Sequence, residues 1–310
     1  MSKILRVIVA ACLALGAALT ALGVLANWYP ALDIVNDGLP FLATGALALL
    51  ALAFATRGRR LIGGAAVLLA VAFALLLSGL PGAAPEAPAG SERFLRVATF
   101  NLWGGNDHTK TVAKFLDEID AGAVVLEEVR DHHRAFLDSL QIRYPYRSGE
   151  EGLVTLSKYP ILEDGRGDRE GYPPWMSLII RWVRLDVNGK PIELAGVHLA
   201  RPFYPELQQE DIVALTAFVQ SRTGPLILAG DFNMAPWTVK LKRFTKATGL
   251  GRFNTFYPTW PMRLRDIPVM PFVPIDNVFA SSDFAKIGAT VGPRLGSDHR
   301  PVIADLALIE

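Results

Sequence analysis

The sequence predicts two structural parts, a set of N-terminal membrane helices followed by an α/β (α+β) domain of stacked sheets covered by helices. Residues 1–80 consist mostly of Ala, Leu, Val, Gly and Phe, whereas the chain from residue 91 has the mixed composition of a soluble domain. That second part contains many short strand-like runs and few helical ones. The 310 residues allow one or two domains, and the stretch after residue 91 is long enough for one sizeable core.

Three uncharged runs define the N-terminal region, at about 4–26, 38–56 and 61–80. Each is long enough to cross ~30 Å of hydrocarbon at ~1.5 Å rise per residue. Pro40 stands at the start of the second run, where a first helical turn tolerates it. We therefore predict a transmembrane region over 1–80, a linker rich in Pro, Ala and Gly over 81–92, and a soluble domain over 93–310.

The charges between these runs predict the orientation in the membrane. Lys3 and Arg6 precede the first run, and the second loop carries Arg57, Arg59 and Arg60. The first loop carries acidic residues, at positions 33 and 37, and no Lys or Arg. Positive loops stay in the cytoplasm, so the N-terminus and the second loop are predicted to be cytoplasmic and the first loop external. The chain is thus predicted to be a multi-pass protein of the cell (inner) membrane. Everything after residue 80 then faces the periplasm or the extracellular side.

Two other interpretations of the first run remain open. In one interpretation the run is a cleaved signal peptide. Two spans then remain, and the domain still faces outward. The stretch Val9 to Cys12 resembles a lipoprotein cleavage box, but the apolar stretch before it is too short and the sequence after it stays apolar. Cys12 is the single cysteine, so an intrachain disulfide and a Cys nucleophile in the soluble part are both excluded.

The charge of the soluble part limits its binding partners. Five of the 31 Lys and Arg residues and three of the 30 Asp and Glu residues lie before residue 91, which leaves this part a net charge of −1. Broad, non-specific binding of nucleic acid needs a basic surface. The balance argues against such binding, although a local basic rim is compatible with it.

The periodicity of the soluble part predicts mostly strands. Apolar residues at 112, 113, 116 and 119 have helical spacing, and the pair Asn188-Gly189 is a strong hairpin signal. Helices are predicted over 109–119, 132–140 and 205–220. Strands are predicted over 94–102, 123–126, 153–156, 177–187, 192–199, 226–229, 274–280 and 302–306. Many strands and one long hairpin favour stacked sheets over a simple βαβ alternation.

Polar side chains collect where these strands should end. They are carboxylates, amides and histidines: Asn101, Glu127, Glu128, His198, Asp231, Asn233, Asp276, Asp298 and His299. Oxygen ligands without thiols suit Mg²⁺ or Mn²⁺, and such a cation polarises a phosphoryl oxygen. A carboxylate or His activates water, and a second His stabilises developing charge. Each residue alone is more often a turn, surface or core residue, so the combination carries the prediction.

Seven stretches in order make a family resemblance. They are TFNLW from Thr99, VVLEEV from Val124, LVTLSKYPI from Leu153, GVHL from Gly196, GDFN from Gly230, IDNVFAS from Ile275 and GSDHRPV from Gly296. The domain resembles the endonuclease/exonuclease/phosphatase superfamily, which includes deoxyribonuclease I, apurinic endonucleases, neutral sphingomyelinases and inositol polyphosphate 5-phosphatases. The resemblance covers 95–306 and implies a four-layer αββα sandwich (DNase I-like). It also implies a phosphoester hydrolase that depends on Mg²⁺ or Mn²⁺.

The resemblance also implies which residues hold the metal. The positions that match the metal side of the family's site are Asn101, Glu128 and Asp298, with Glu128 as the chief ligand. The family usually has Gln before that Glu, and here Glu127 stands there. After the matched Asp276 the family often has Tyr or His. Asn277 stands in that place and receives no catalytic role.

Five further positions match catalytic residues of the family. Asp231 matches the carboxylate that activates or orients the attacking water, and Asn233 the amide that holds the phosphate or the water. His198 matches a His that contacts the phosphate. His299 matches the His that stabilises the transition state, and Asp276 the acid that orients it. All five types are retained, so an inactive scaffold is disfavoured.

The sequence leaves the substrate open between nucleic acid and phospholipid. A basic run at Lys240, Lys242, Arg243 and Lys246 favours nucleic acid, unless it is a solvated helix face. The membrane tether and the apolar stretch 256–273 favour a lipid or headgroup phosphodiester, unless that stretch only packs over the core. A non-catalytic membrane binding module is the third hypothesis. The expected partners are thus a phosphoester substrate and the bilayer, and no protein partner is predicted.

Overall fold

The computed structural model of the chain describes residues 2–167, 179–254, 256–264 and 267–309. They form two units. The first comprises Met1–Pro81 and Met234–Lys242, and the second comprises Gly82–Asn233 and Arg243–Glu310. Helix α8, over Val239–Thr248, begins in the first unit and ends in the second.

The first unit is built from apolar helices. Its elements are α1 (Ser2–Leu25), the 3-10 turn η1 (Pro30–Asp33), the single turn α2 (Ile34–Asp37), α3 (Leu39–Thr56) and α4 (Arg59–Leu77). Three stretches of helix, Lys3–Leu25, Leu39–Thr56 and Arg59–Leu77, are long and apolar enough to cross a membrane. Large apolar side chains such as Phe54 and Val67 are exposed along them. Such a surface suits lipid rather than water. The predicted three N-terminal helices are thereby confirmed.

The second unit contains two six-stranded sheets. One has the order β13-β14-β1-β2-β4-β3. Its strands are β1 (Leu95–Asn101), β2 (Ala123–Val129), β3 (Tyr146–Ser148), β4 (Gly152–Ser157), β13 (Phe284–Val291) and β14 (Val302–Leu308). The helices α5 (Thr109–Ile119) and α6 (Arg134–Ser139), with the 3-10 turn η2 (Asp131–His133), fall between these strands. Strands β1 and β2 are parallel, and the other neighbours in this sheet are antiparallel.

The other sheet has the order β5-β6-β7-β8-β12-β9. Its strands are β5 (Ile161–Arg166), β6 (Ile179–Val187), β7 (Lys190–His198), β8 (Leu226–Asp231), β9 (Gly251–Arg252) and β12 (Asp276–Ala280). Helix α7 (Pro205–Gln220) connects β7 to β8, which run parallel. A separate two-stranded sheet pairs β10 (Arg263–Leu264) with β11 (Ile267–Pro268).

Two apolar cores show how the layers are stacked. Alternate residues of β1 face opposite ways, as the period of a strand requires: Leu95 and Val97 pack in the core between the sheets, whereas Ala98 and Phe100 pack in another core with α5 and α6. Full burial of a Leu, Val or Phe side chain contributes about 1.5–3 kcal/mol to folding. Phe232, Phe244 and Phe279 pack together with ring centroids 5.0–6.1 Å apart, joining α8 to the sheet of β12. The predicted αββα sandwich is thereby confirmed.

The differences from the sequence expectations have local causes. The helices at 109–119 and 205–220 have their predicted bounds. The start of the strand predicted from Ser177 lies outside the described residues, and the described part runs over Ile179–Val187. Strand β5 was missed because it is an exposed edge with Glu163 and Asp164 in its middle. Residues 82–87, predicted as an extended linker, donate backbone hydrogen bonds from Ala84 to Arg252 and from Ala87 to Lys286.

Candidate active site

Strand registers bring the predicted catalytic residues together. His198 at the end of β7 pairs with Asp231 at the end of β8, because the two strands are parallel. Asp276 at the start of the antiparallel β12 pairs with the same Asp231. In the other sheet, Asn101 at the end of β1 pairs with Glu127 of β2. The ends of five strands thus supply one polar cluster.

His299 and Asp276 form a buried pair beside Asp231. The Nδ1 atom of His299 lies 3.0 Å from both carboxylate oxygens of Asp276. Its other ring nitrogen, Nε2, lies 3.8 Å from Oδ2 of Asp231. The His198 Nε2 atom lies 3.7 Å from the same oxygen. Asp276 therefore fixes the orientation of the His299 ring and leaves Nε2 directed toward Asp231.

Asn101 links the predicted metal side to Asp231. Its Nδ2 atom donates to Oδ2 of Asp231 at 3.1 Å and lies 3.4 Å from Oε1 of Glu128. The other oxygen of Glu128 accepts a hydrogen bond from the backbone N–H of Gly104 at 3.2 Å. The Arg201 guanidinium donates to Oε1 of Glu128 at 3.3 Å. Asn101, Glu128 and Asp231 are therefore neighbours.

The Glu127-Glu128 pair lies in an irregularity of β2. The register of β2 with β4 shifts between Leu126 and Val129, and Glu128 has a φ of +56°. A bulge of this kind redirects side chains, and a left-handed backbone in a non-Gly residue is costly and concentrates at functional sites. Glu127 is fully buried and accepts a short hydrogen bond from Thr99, and its Oε2 atom has no hydrogen-bond partner among the described residues. Burial raises the pKa of Glu127 well above its ordinary value.

The GDFN turn holds Asp231 and Asn233 in a fixed relation. The backbone N–H of Asn233 donates to Oδ1 of Asp231 at 2.8 Å, and Asn233 Nδ2 donates to the carbonyl of Leu199 at 2.9 Å. Asn233 also has a left-handed φ, of +50°. Gly230 has a φ of +154°, and a Cβ there would lie 1.9 Å from the carbonyl oxygen of Val197. Glycine is therefore required at this position, since β7 approaches it too closely for any side chain.

The charges of the cluster set its protonation. Burial alone would lower the pKa of His299, but the carboxylates of Asp276 and Asp231 outweigh it and raise the value to about 10. Burial raises the pKa of Asp231 to about 6, with a further contribution from Asp276. At neutral pH the cluster therefore holds a protonated His299 beside a mostly ionised Asp231. The protonated His299 can stabilise negative charge on a bound phosphoryl group, and the ionised Asp231 can accept a proton.

The donor atoms of this cluster fit a hard divalent cation. Asp231, Asp276 and His299 each offer one ligand atom within 4.8 Å of the others. These three residues could therefore hold a metal ion. Nδ1 of His299 is, however, occupied by Asp276, whereas one carboxylate oxygen of Glu128 and one of Asp231 both lie within 3.4 Å of Asn101 Nδ2. Crowded carboxylate oxygens without thiols are typical ligands of Mg²⁺ and Mn²⁺. The predicted placement of the metal on the Glu128 side stays a prediction.

Asp298 lies at the border of this cluster. Its Oδ2 atom accepts a hydrogen bond from Trp260 Nε1 at 3.3 Å, and its backbone carbonyl accepts one from Met262. Within the described part of the chain, no hydrogen bond joins its carboxylate to Glu128 or Asn101. The Trp260 ring lies 6.5 Å from the ring of His299. Its place among the metal ligands stays a prediction.

Arg201 was missed by the sequence reasoning. Its side chain is 60% exposed while its guanidinium contacts Glu128. The signal was present in the sequence, since Arg201 follows the GVHL stretch by two residues. Trp103, at a φ of +60°, is a second missed residue, and the Arg263 guanidinium lies over its ring at 4.5 Å. Arg201 adds a cationic group that contacts Glu128. Trp103 adds an aromatic ring two residues after Asn101 in the sequence.

Solved structures of known proteins share this fold. TDP2 from C. elegans is 17% identical, with a TM-score of 0.57, and the match covers 69% of this chain and 75% of that one. Mannosyl-6-phosphatase from Bacteroides thetaiotaomicron VPI-5482 is 17% identical, with a TM-score of 0.54 and coverages of 69% and 100%. An endonuclease/exonuclease/phosphatase from Beutenbergia cavernae DSM 12333 is 22% identical, with a TM-score of 0.57 and coverages of 70% and 72%.

Comparison at the sequence level gives the family. No curated protein matches the chain. The sequence profile of the Endonuclease/Exonuclease/phosphatase family matches residues 98–299, about two thirds of the chain, and this range includes all eight predicted site residues. The profile, the two-sheet sandwich and the clustered strand-end residues agree. The chain therefore belongs to the endonuclease/exonuclease/phosphatase family.

Proposed function

We propose that the chain is a membrane-anchored phosphodiesterase that depends on Mg²⁺ or Mn²⁺ and uses an activated water. The observation that carries this proposal is the His299–Asp276 pair, whose free Nε2 lies 3.8 Å from Asp231. A buried acid, an oriented histidine and oxygen ligands for a cation are the parts that such hydrolysis needs.

The residues divide the reaction between them. Glu128 and Asn101, with a contribution from Asp298, would hold the metal, which when bound would supply polarisation of the phosphoryl group and neutralise its charge. Asp231 accepts the proton of the attacking water, and Asn233 holds the water or a phosphate oxygen. His299, kept protonated by Asp276, donates to the oxygens that gain charge in the transition state. His198 contributes a further phosphate contact.

The residues around the cluster support one substrate class over the other. The basic run offers little to a nucleic acid, since Lys240 is buried and Lys242 Nζ donates to Ser78, which leaves Arg243 and Lys246 exposed. The stretch 256–273 instead supplies Trp260 beside His299 and Asp298. Together with the apolar helices, this favours a lipid headgroup phosphodiester, with nucleic acid as the second candidate. Residues 265 and 266 of the stretch lie outside the described part.

The proposed location is the cell membrane, with the catalytic domain on the periplasmic or extracellular side. Loop charges support this orientation. A bonding pattern within the first unit supports the number of spans. Asp33 accepts hydrogen bonds from Val239 and Lys240, so the first loop and residues 239–240 share one side of the membrane. Two crossings, by α3 and α4, satisfy that requirement.

A substrate panel tests this proposal. The purified full chain is offered sphingomyelin, phosphatidylinositol phosphates, DNA, RNA and bis(p-nitrophenyl) phosphate, each with Mg²⁺ or with EDTA. We expect Mg²⁺-dependent turnover of at least one lipid and of the generic diester, lost in Asp231→Ala. A preference for DNA or RNA would overturn the lipid assignment, and no metal-dependent turnover of any compound would overturn the enzyme assignment.

A further inference from the structure

The segment directly after the GDFN turn belongs to the same unit as the membrane helices. Met234–Lys242 groups with Met1–Pro81, whereas Asn233 and the strands before it belong to the second unit. Residues 231–241 are all buried. Two acidic residues of the first loop, Asp33 and Asp37, have no role in the chemistry described above. Both contact this segment.

Asp33 caps the start of α8 from a distant part of the chain. Its two carboxylate oxygens accept hydrogen bonds from the backbone N–H groups of Val239 and Lys240, each at 2.9 Å. The first N–H groups of a helix have no partner within that helix and need an acceptor from elsewhere. An acidic side chain also suits the positive end of the helix. Asp33 is only 3% exposed, so these bonds are shielded from water.

Further bonds hold the residues before the helix. The Asp37 Oδ1 atom accepts a hydrogen bond from the backbone N–H of Ala235 at 3.1 Å. Trp237 Nε1 donates to the carbonyl of Asn36 at 2.7 Å. Together with the bonds to Asp33, these contacts mean that Ala235, Trp237 and the first turn of α8 each donate a hydrogen bond to the first loop. The whole stretch 235–240 is therefore bonded to the loop between the first two membrane helices.

This stretch begins two residues after a catalytic one. Asn233 has a left-handed φ of +50°, a conformation that persists only when the surroundings enforce it. On one side, Gln208 Nε2 donates to the carbonyl of Asn233 at 2.9 Å. On the other side, the next bonded backbone group is the N–H of Ala235, which Asp37 holds. The loop thus restrains the chain where it leaves the active-site turn.

We propose that Asp33 and Asp37 are positioning residues of the active site, which hold the stretch 235–240 and through it the conformation of Asn233. The proposal deepens the proposed function, since the membrane unit then contributes to catalysis as well as to anchoring. Asn233 and Asp231 act on the substrate, and the two acidic residues act through the backbone that carries Asn233.

Variants of the full chain in detergent test this proposal by two readouts. The first is amide hydrogen exchange of peptides within 235–241, and the second is kcat and KM on bis(p-nitrophenyl) phosphate with Mg²⁺. In Asp33→Ala and Asp37→Ala we expect exchange of these amides to accelerate by about tenfold or more. We also expect kcat to fall by about tenfold with little change in KM, because positioning affects the reacting geometry more than binding.

Matched variants separate positioning from general destabilisation. Asp37→Asn keeps an oxygen that accepts from Ala235 and should behave like the wild type. Tyr29→Ala alters an exposed residue of the same loop and should also leave both readouts unchanged. Asp33→Ala could accelerate exchange throughout the chain, which would indicate general destabilisation. In that case Asp37→Ala, which removes a single hydrogen bond, decides between positioning and destabilisation.

The outcomes distinguish this proposal from the proposed function. Unchanged exchange at 235–241 in both alanine variants would overturn it, and so would faster exchange with an unchanged kcat. A wild type without turnover, whose exchange still responds to Asp33→Ala, would overturn the proposed function and support the restraint of the segment.

Discussion

At the scale of single residues, the two adjacent glutamates have opposite properties. Burial raises the pKa of Glu127, which Thr99 contacts, and Glu127 therefore resembles the neutral Gln that the family usually has there. Burial also acts on Glu128, but His198 and the N–H of Gly104 outweigh it and lower its pKa, so that it stays ionised. A neutral carboxyl suits a structural position, and an ionised one suits a metal ligand.

We expect Glu127→Gln to retain turnover, whereas Glu128→Gln should abolish metal-dependent turnover. The raised pKa of Glu127 also has a consequence for stability. Its favourable contribution is present below the ordinary pKa of Glu and is lost as the pH rises through the raised value. The urea midpoint of Glu127→Gln minus that of the wild type should therefore increase as the pH rises. Equal losses of activity in both variants would contradict this distinction.

His299 should be the most sensitive single position of the catalytic pair. We expect His299→Gln to lower kcat by about 10²–10⁴-fold, because it removes the protonated group that faces Asp231. His132→Gln, which changes an exposed histidine, is the control. Steady-state kinetics on bis(p-nitrophenyl) phosphate at neutral pH measures both. A fall of less than about fivefold in His299→Gln would remove this residue from the catalytic machinery.

At the scale of elements, the sequence predicted best where a pattern is local. The helix at 109–119 and the hairpin at Asn188-Gly189 have strong local signals, and the structure contains both. Strand β3, only Tyr146–Ser148, is too short for a periodic signal. Helix α8 was anticipated only as an alternative for the basic run, and its start was not predicted, because its first turn is capped by Asp33, about 200 residues away in the sequence. A cap supplied by a distant residue leaves no local signature.

The capping loop should make the first unit sensitive to pH. Burial, with Asp33 nearby, raises the pKa of Asp37 to about 7, although the Ala235 N–H and Lys240 oppose the shift. For an acid with a raised pKa, the favourable contribution is present below the ordinary value and is lost as the pH rises through about 7. Asp37 is partly buried, so we expect a loss on the order of 1–2 kcal/mol between about pH 5 and about pH 8.

Chemical unfolding of the full chain, followed by tryptophan fluorescence at several pH values, measures this loss. Asp37→Asn is the control, because its amide keeps an oxygen for Ala235 and cannot ionise. The variant should show a flatter dependence on pH than the wild type. A wild-type stability that rises between those pH values, or identical curves for both proteins, would show that Asp37 is not the responsible group.

At the scale of the whole molecule, one chain combines apolar helices with a domain of the endonuclease/exonuclease/phosphatase family. The sequence predicted both parts, because hydropathy reports the helices and seven ordered motifs report the domain. It also predicted the polar residues that the strand registers bring together, such as His198, Asp231 and Asp276. It did not reveal that Met234–Lys242 belongs with the helices, since that grouping depends on contacts between residues far apart in sequence.

The most direct test of the central claim is hydrolysis of bis(p-nitrophenyl) phosphate by the purified full chain during a titration with Mg²⁺. We predict turnover that rises to saturation with Mg²⁺, disappears with EDTA and falls by about 10²-fold or more in Asp231→Asn, whose side chain cannot accept the proton of water. Turnover that persists in EDTA, or that Asp231→Asn leaves unchanged, would contradict a metal-dependent hydrolase centred on Asp231.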